Sequence, residues 1–220
     1  MTDTSGFQGI FYTDTAAFLF FALSLAWQKS LRGRITMIRA SGVSLAAIPF
    51  INAIRTKDPA MAVLALVILL VRAVIMPSMI SRAISKETAL RASLRSLNTT
   101  ASILGAGAVI ILGFAASQGI IAVAPTPTMA ALPIPFGAML IGVSLLLTRK
   151  QVVDQLIAFL LLDNGISACA FILTLGIPAV VELGALLDVV LLILVLVLLA
   201  GKLRPQMIGI DIDGLRELHE

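Results

Sequence analysis

Residues 152–171 read VVDQLIAFLLLDNGISACAF. Crossing a hydrocarbon layer of roughly 30 Å takes about 20 helical residues, and this run is long and apolar enough to do it. It also carries Asp163 near its midpoint, where an ionised carboxylate is least stable. Working outward, similar apolar runs recur along nearly the whole chain, which is 59% hydrophobic, 13% charged and has a mean hydropathy of +1.06. That is more apolar surface than one water-soluble core of 220 residues can hide, so the expected class is an all-α membrane protein.

Punctuation between the runs gives seven expected spans, near 11–28, 36–54, 60–80, 98–122, 129–148, 152–174 and 179–201. They form a single transmembrane domain over 1–205, followed by a tail at 206–220. Asp58-Pro59 and Gly176-Ile177-Pro178 mark helix starts, because proline suits the first turn. Pro125, Pro127, Pro133 and Pro135 predict a rigid turn leading into an irregular first helical turn. In the second span Pro49 is expected to interrupt the helix, and Arg39 to snorkel from one end. Acidic Asp3 and Asp14 replace the basic flank of a secretory signal, so the first span is expected to stay in the mature protein.

Charge gives an independent check on this layout. Lys29, Arg32, Arg34, Arg39, Arg82, Lys86, Arg91, Arg95, Arg149, Lys150, Lys202, Arg204 and Arg216, 13 of the 16 basic residues, fall on one side. Short cytoplasmic loops collect Lys and Arg, which predicts an outward N-terminus and a cytoplasmic C-terminus. The same pattern accounts for the net charge of +4 without nucleic acid. Residues 81–97 have the spacing of a short surface helix or of a solvated loop, and the tail offers Ile208, Ile210, Ile212, Leu215 and Leu218 for docking. The "DIDG" in that tail lacks the later ligands of a calcium loop. One cysteine, Cys169, and one histidine, His219, leave no basis for a disulfide, a metal site or any other cofactor held by this chain alone.

Four ionisable residues fall inside the spans: Arg72, Asp163, Glu182 and Asp188. At 1.5 Å per residue, Arg72, Asp163 and Asp188 lie about 18, 16 and 14 Å from the nearer starts of their helices, close to the midplane. Glu182 is shallower, and Asp154 is expected at the interface. An uncompensated charge at mid-depth costs at least about 2.5–3.5 kcal/mol, so these groups require partners, water or protonation. An acid in such a place can hold a proton loosely, with Asn164 and Gly165 beside Asp163 supplying a hydrogen bond and room for a water or a close helix. The alternative is a structural ion pair of Arg72 with Asp163 or Asp188. Arg72 itself cannot relay by titration, because guanidinium does not deprotonate in proteins.

"LLLTRKQVVDQLIAFLLLDNGISACAF" followed by "GIPAVVELGALLDVV" resembles hydrogenase-4 component E, a membrane subunit of group 4 [NiFe]-hydrogenase and formate hydrogenlyase complexes. "LLVRAVIMPSMISRAI" is similar to that family's third span, where Arg72 stands in place of a Lys, and Asp163 stands where the family has Glu. The last three spans are similar to the K-type subunit of complex I and the C-type subunit of multisubunit cation/proton antiporters. The resemblance implies a multi-pass subunit in the cell membrane of a prokaryote, partnered by antiporter-like and core membrane subunits and, indirectly, by a peripheral [NiFe]/iron–sulfur module. It implies no catalytic centre in this chain. Asp163, Glu182 and Asp188 would contribute to a lateral proton or cation relay, with Arg72 as electrostatic partner and Asn164 and Gly165 in support. A scaffold without ion traffic and a stand-alone transporter are the rival expectations.

Overall fold

A computed structural model describes residues 4–83, 99–123, 128–149 and 152–174, together with residue 190. The described residues are helical, with no strand among them. Among the described residues six helices are long and apolar enough to cross a membrane, and the chain is a multi-pass membrane protein. The expected seventh span at 179–201, the segment at 84–98 and the tail lie outside the described residues.

Helix α1 (Thr4–Trp27) is joined by a three-residue turn to α2 (Leu31–Thr56), whose N-terminus is capped by the Ser30 hydroxyl accepting from the Gly33 N–H at 3.1 Å. The interruption expected at Pro49 does not occur: α2 runs through it unbroken. Proline removes one rung of the ladder, and a buried membrane helix held on both sides by neighbours keeps its course. Lys57, in the left-handed conformation at φ 55°, ends α2, and Asp58 caps the next helix through the Ala60 N–H at 2.9 Å, with Pro59 at its first position.

The third span is not a plain α-helix. It consists of α3 (Pro59–Ile68), a π-helical segment (Leu69–Ile75) and α4 (Met76–Ala83). Leu64, Ile68, Arg72, Met76 and Ile80 are all buried, spaced by four throughout. In a regular α-helix a spacing of four drifts by about 40° per step, which would carry the last of these far from the first. The wider π turn removes most of that drift and keeps the set on one face. Pro77 follows immediately and has no N–H to close the α ladder behind it.

The remaining described helices are α5 (Thr99–Val123), α6 (Pro133–Thr148) and α7 (Val152–Thr174). A single 3-10 turn, Met129–Ala131, leads into α6. Helix α2 is central, packing on α1, α3, the π segment, α4 and α7, while α6 lies against α7, α5 and α1. The common core includes Phe18, Leu45, Ile68, Leu132 and Leu161, each fully enclosed. Helix α5 turns Leu104, Ile111 and Leu112 outward, as suits a lipid-facing surface.

Close backbone approaches at glycines tie the bundle together, two of them beside the mid-depth charges. A Cβ on Gly42 of α2 would lie 3.0 Å from the main chain of Arg72, and one on Gly165 of α7 would lie 2.7 Å from the Cα of Met139 on α6. Glycine at both points lets backbones meet where any side chain would part them. Gly165→Leu is therefore expected to lose about 1–3 kcal/mol of stability through overpacking. Gly107→Ala, where a Cβ meets nothing within 4 Å, should lose nothing and gain up to about 1 kcal/mol in helix propensity. Thermal unfolding of both variants in detergent checks the contrast.

Candidate functional site

The π segment and α7 bring together the two mid-depth charges. Arg72 is 2% exposed, and its Nη1 donates to Asp163 Oδ2 in an ion pair and to Asn164 Oδ1 at 2.9 Å. Nη2 donates to Ser167 Oγ at 2.8 Å. Asn164 Nδ2 in turn donates to Ser41 Oγ at 3.0 Å, and that hydroxyl donates to the Ile38 carbonyl at 2.9 Å. Donors and acceptors alternate consistently along the chain, so the amide of Asn164 has one satisfactory orientation. The pinch at Gly42 places α2 against the Arg72 backbone, which sets neighbouring Ser41 within reach of Asn164.

This geometry answers the electrostatic problem locally. A guanidinium in hydrocarbon has several donors to satisfy, and the cluster supplies a carboxylate, an amide oxygen and a hydroxyl from residues 163, 164 and 167 of one helix. The Asp163 side chain keeps 14% of its surface exposed, so one edge of the pair remains open at the bundle surface. Gly165 serves the close packing of α7 on α6 at Met139. Glu182 and Asp188 lie outside the described residues. Ser41 and Ser167 complete the cluster and were not singled out in the sequence; the Asn164–Ser167 spacing of three residues, one helix face, was the available signal.

A second ionic contact closes the end of the bundle rich in basic residues. Asp154, expected at the interface, is buried and accepts from Arg34 Nη1; Arg34 Nη2 donates to the Lys29 carbonyl at 3.0 Å. Arg34 had been grouped with loop charges, but α2 begins at Leu31, which turns it inward within the first turn. Arg149 Nη2 donates to the Ala26 carbonyl at 2.9 Å, tying the α6–α7 connection to the end of α1. Burial lowers the Arg149 pKa from its ordinary value, with Arg34 adding to the effect and Asp154 opposing it. Asp14 is a third intramembrane acid of the described helices: its Oδ1 accepts from Ser44 Oγ at 2.9 Å. In the sequence it counted only as a flanking charge.

Among the described residues no group of three or more His, Cys, Asp or Glu side chains is placed to hold a metal ion. The chain is 37% identical over 197 residues to a protein of Mycobacterium tuberculosis described as uncharacterized protein Rv0085, covering 89% of this chain and 90% of that protein. The chain belongs to the Rv0085 family. No protein-family model matches it, and no solved structure does. An alignment at this identity across nine-tenths of both chains makes a shared fold the basis for comparing members of the Rv0085 family.

Removing Arg72 leaves Asp163 buried without its cation, whereas removing both charges leaves an apolar contact. Arg72→Met is expected to cost about 3–5 kcal/mol, and Arg72→Met combined with Asp163→Leu clearly less. A double-mutant cycle on unfolding in mixed micelles measures the coupling.

Proposed function

We propose that this chain is a non-catalytic subunit of a hydrogenase-4-like or complex I-like redox complex in a prokaryotic cell membrane. In this reading it has seven spans, with the basic ends cytoplasmic and the N-terminus outside. Asp163, Glu182 and Asp188 contribute to a lateral relay of protons or cations, and Arg72 sets the potential they feel. Electron transfer and the metals belong to partner subunits, since iron–sulfur clusters need cysteine ligands that a chain with one cysteine does not supply.

The observation that carries the proposal is the buried, hydrogen-bonded cluster around Arg72 and Asp163, open on one edge at Asp163. Ionisable groups at this depth are rare, and where they occur they mark ion pathways more often than they improve stability. A neighbouring proton carrier that reaches the open edge would compete with Arg72 for the carboxylate, which couples proton position to the strength of one ion pair. The order of motifs resembling hydrogenase-4 component E supports the choice of complex.

The scaffold reading has an observation of its own. Arg72 cannot titrate, and its bonds to three residues of α7 join two helices as a structural clamp does. Asp163→Asn separates the two readings because it keeps size and hydrogen-bonding capacity while removing the charge. The relay predicts an assembled complex whose redox turnover proceeds while ion translocation, followed by pH or membrane-potential dyes in vesicles, falls at least about tenfold, the effect of about 1.4 kcal/mol on a barrier. Loss of assembly points to the scaffold. Normal assembly with normal translocation removes Asp163 from the mechanism.

A further inference from the structure

Along α1 and α2 lies a groove of about 720 Å³, lined by Gly6, Gly9, Thr13, Asp14 and Ala17 from α1 and Ala47 from α2, among others, with none of the Arg72 cluster in its lining. Most of its lining is small side chains; Ile10, 61% exposed, and Ile51 are the large ones. Gly9 has no role inside the described fold: a Cβ there would meet nothing within 4 Å. Glycine is the poorest helix former after proline, so its place on an exposed helix face calls for close approach by something else.

Asp14 supplies the chemistry. It lies eight residues in from Gly6, where the span begins, or about 12 Å deep, farther than its short side chain can reach back to water. Ser44 satisfies Oδ1, while Oδ2 is buried with no hydrogen-bond partner. Lipid tails have no donor to offer. Rotation about χ2 exchanges the two oxygens, so a donor entering the groove can take one while Ser44 keeps the other.

We propose that this groove receives a transmembrane helix of another polypeptide, carrying a Lys or Arg at the level of Asp14. Charge complementarity selects the occupant. The chain's own predicted last span, 179–201, contains Glu182 and Asp188 but no Lys or Arg. A second copy turned about an axis along the membrane normal offers no better match: Arg72 is enclosed, Arg34 and Arg55 stand near the ends of α2, and Arg39, which donates to Ser78, lies five residues or about 7.5 Å from the level of Ser44 and Asp14. Small residues opposite a helix, with one polar anchor, form a familiar kind of membrane interface.

This inference rests on the chain being one subunit among several. It is read from contact at the groove, so its failure leaves the translocation measurement on Asp163→Asn standing. The experiment places the photo-crosslinking residue benzoylphenylalanine at Ile10 in the full chain in native membranes, with Ile111 on α5 as the lipid-facing control. Adducts are mapped by mass spectrometry. The expected adduct joins Ile10 to a transmembrane segment of a different polypeptide with a Lys or Arg within one turn of the linked position. Its yield should fall about three- to twentyfold in Asp14→Asn, the range of interhelical hydrogen-bond strengths in membranes. Gly9→Leu, whose Cβ meets nothing within 4 Å, should abolish the adduct while leaving the melting of the purified chain unchanged. Exchanging charges, Asp14→Lys with the partner base changed to Asp, should restore it. Adducts with lipid alone, with a second copy, with residues 175–220 or with a segment lacking a base overturn the proposal, as does a yield unchanged by Gly9→Leu.

Discussion

A guanidinium held in the middle of a membrane bundle constrains everything around it. Arg72 cannot shed its proton, and at 2% exposure it cannot reach headgroups, so the protein must bring polar atoms to it. Asp163, Asn164 and Ser167 do so from within little more than one turn of α7, and Ser41 on α2 holds Asn164 in place. The glycine at 42 follows from the same demand, because short polar side chains bridge only helices whose backbones nearly touch. Packing and electrostatics are one problem at this site.

The basic end of the bundle uses the same solution for a different purpose. Arg34 and Asp154 bind the start of α2 to the start of α7, and Arg149 binds the α6–α7 connection to α1. Connections between helices are therefore pinned by charge where the membrane's apolar medium gives way to water and hydrophobic contact contributes less. The two clusters sit at opposite ends of the dielectric gradient: the Arg34 pair near water, the Arg72 pair far from it. Only the deeper one carries a hydrogen-bond network of side chains from three elements.

Much of the architecture was legible in the sequence, because the length and polarity of a membrane helix are local properties. Apolar runs and Asp58-Pro59 located helices, and rise per residue put Arg72 and Asp163 at matching depth. Which acid Arg72 would meet was left open between Asp163 and Asp188, since the choice depends on how helices are arranged around α2. The burial and pairing of Arg34 and Asp154 went unread for a different reason. Each stands close to a span end, where position along the chain cannot tell a solvated charge from one turned inward. Asp14 was hidden by its nearness to the N-terminus, where an acid reads as a flank. The π segment had a signature in the four-residue recurrence of Leu64, Ile68, Arg72, Met76 and Ile80, but that pattern is recognisable only once the five are known to share a face.

The extra residue accommodated between Leu69 and Ile75 sets regularity against fit. Winding the same residues as a plain α-helix would give a smoother, better hydrogen-bonded segment. It would also swing Met76 and Ile80 by about 100° away from the neighbours they now face. The winding of this span is thus constrained by its neighbours in a way that no reading of its polarity reveals, and the more ideal helix would make the poorer protein.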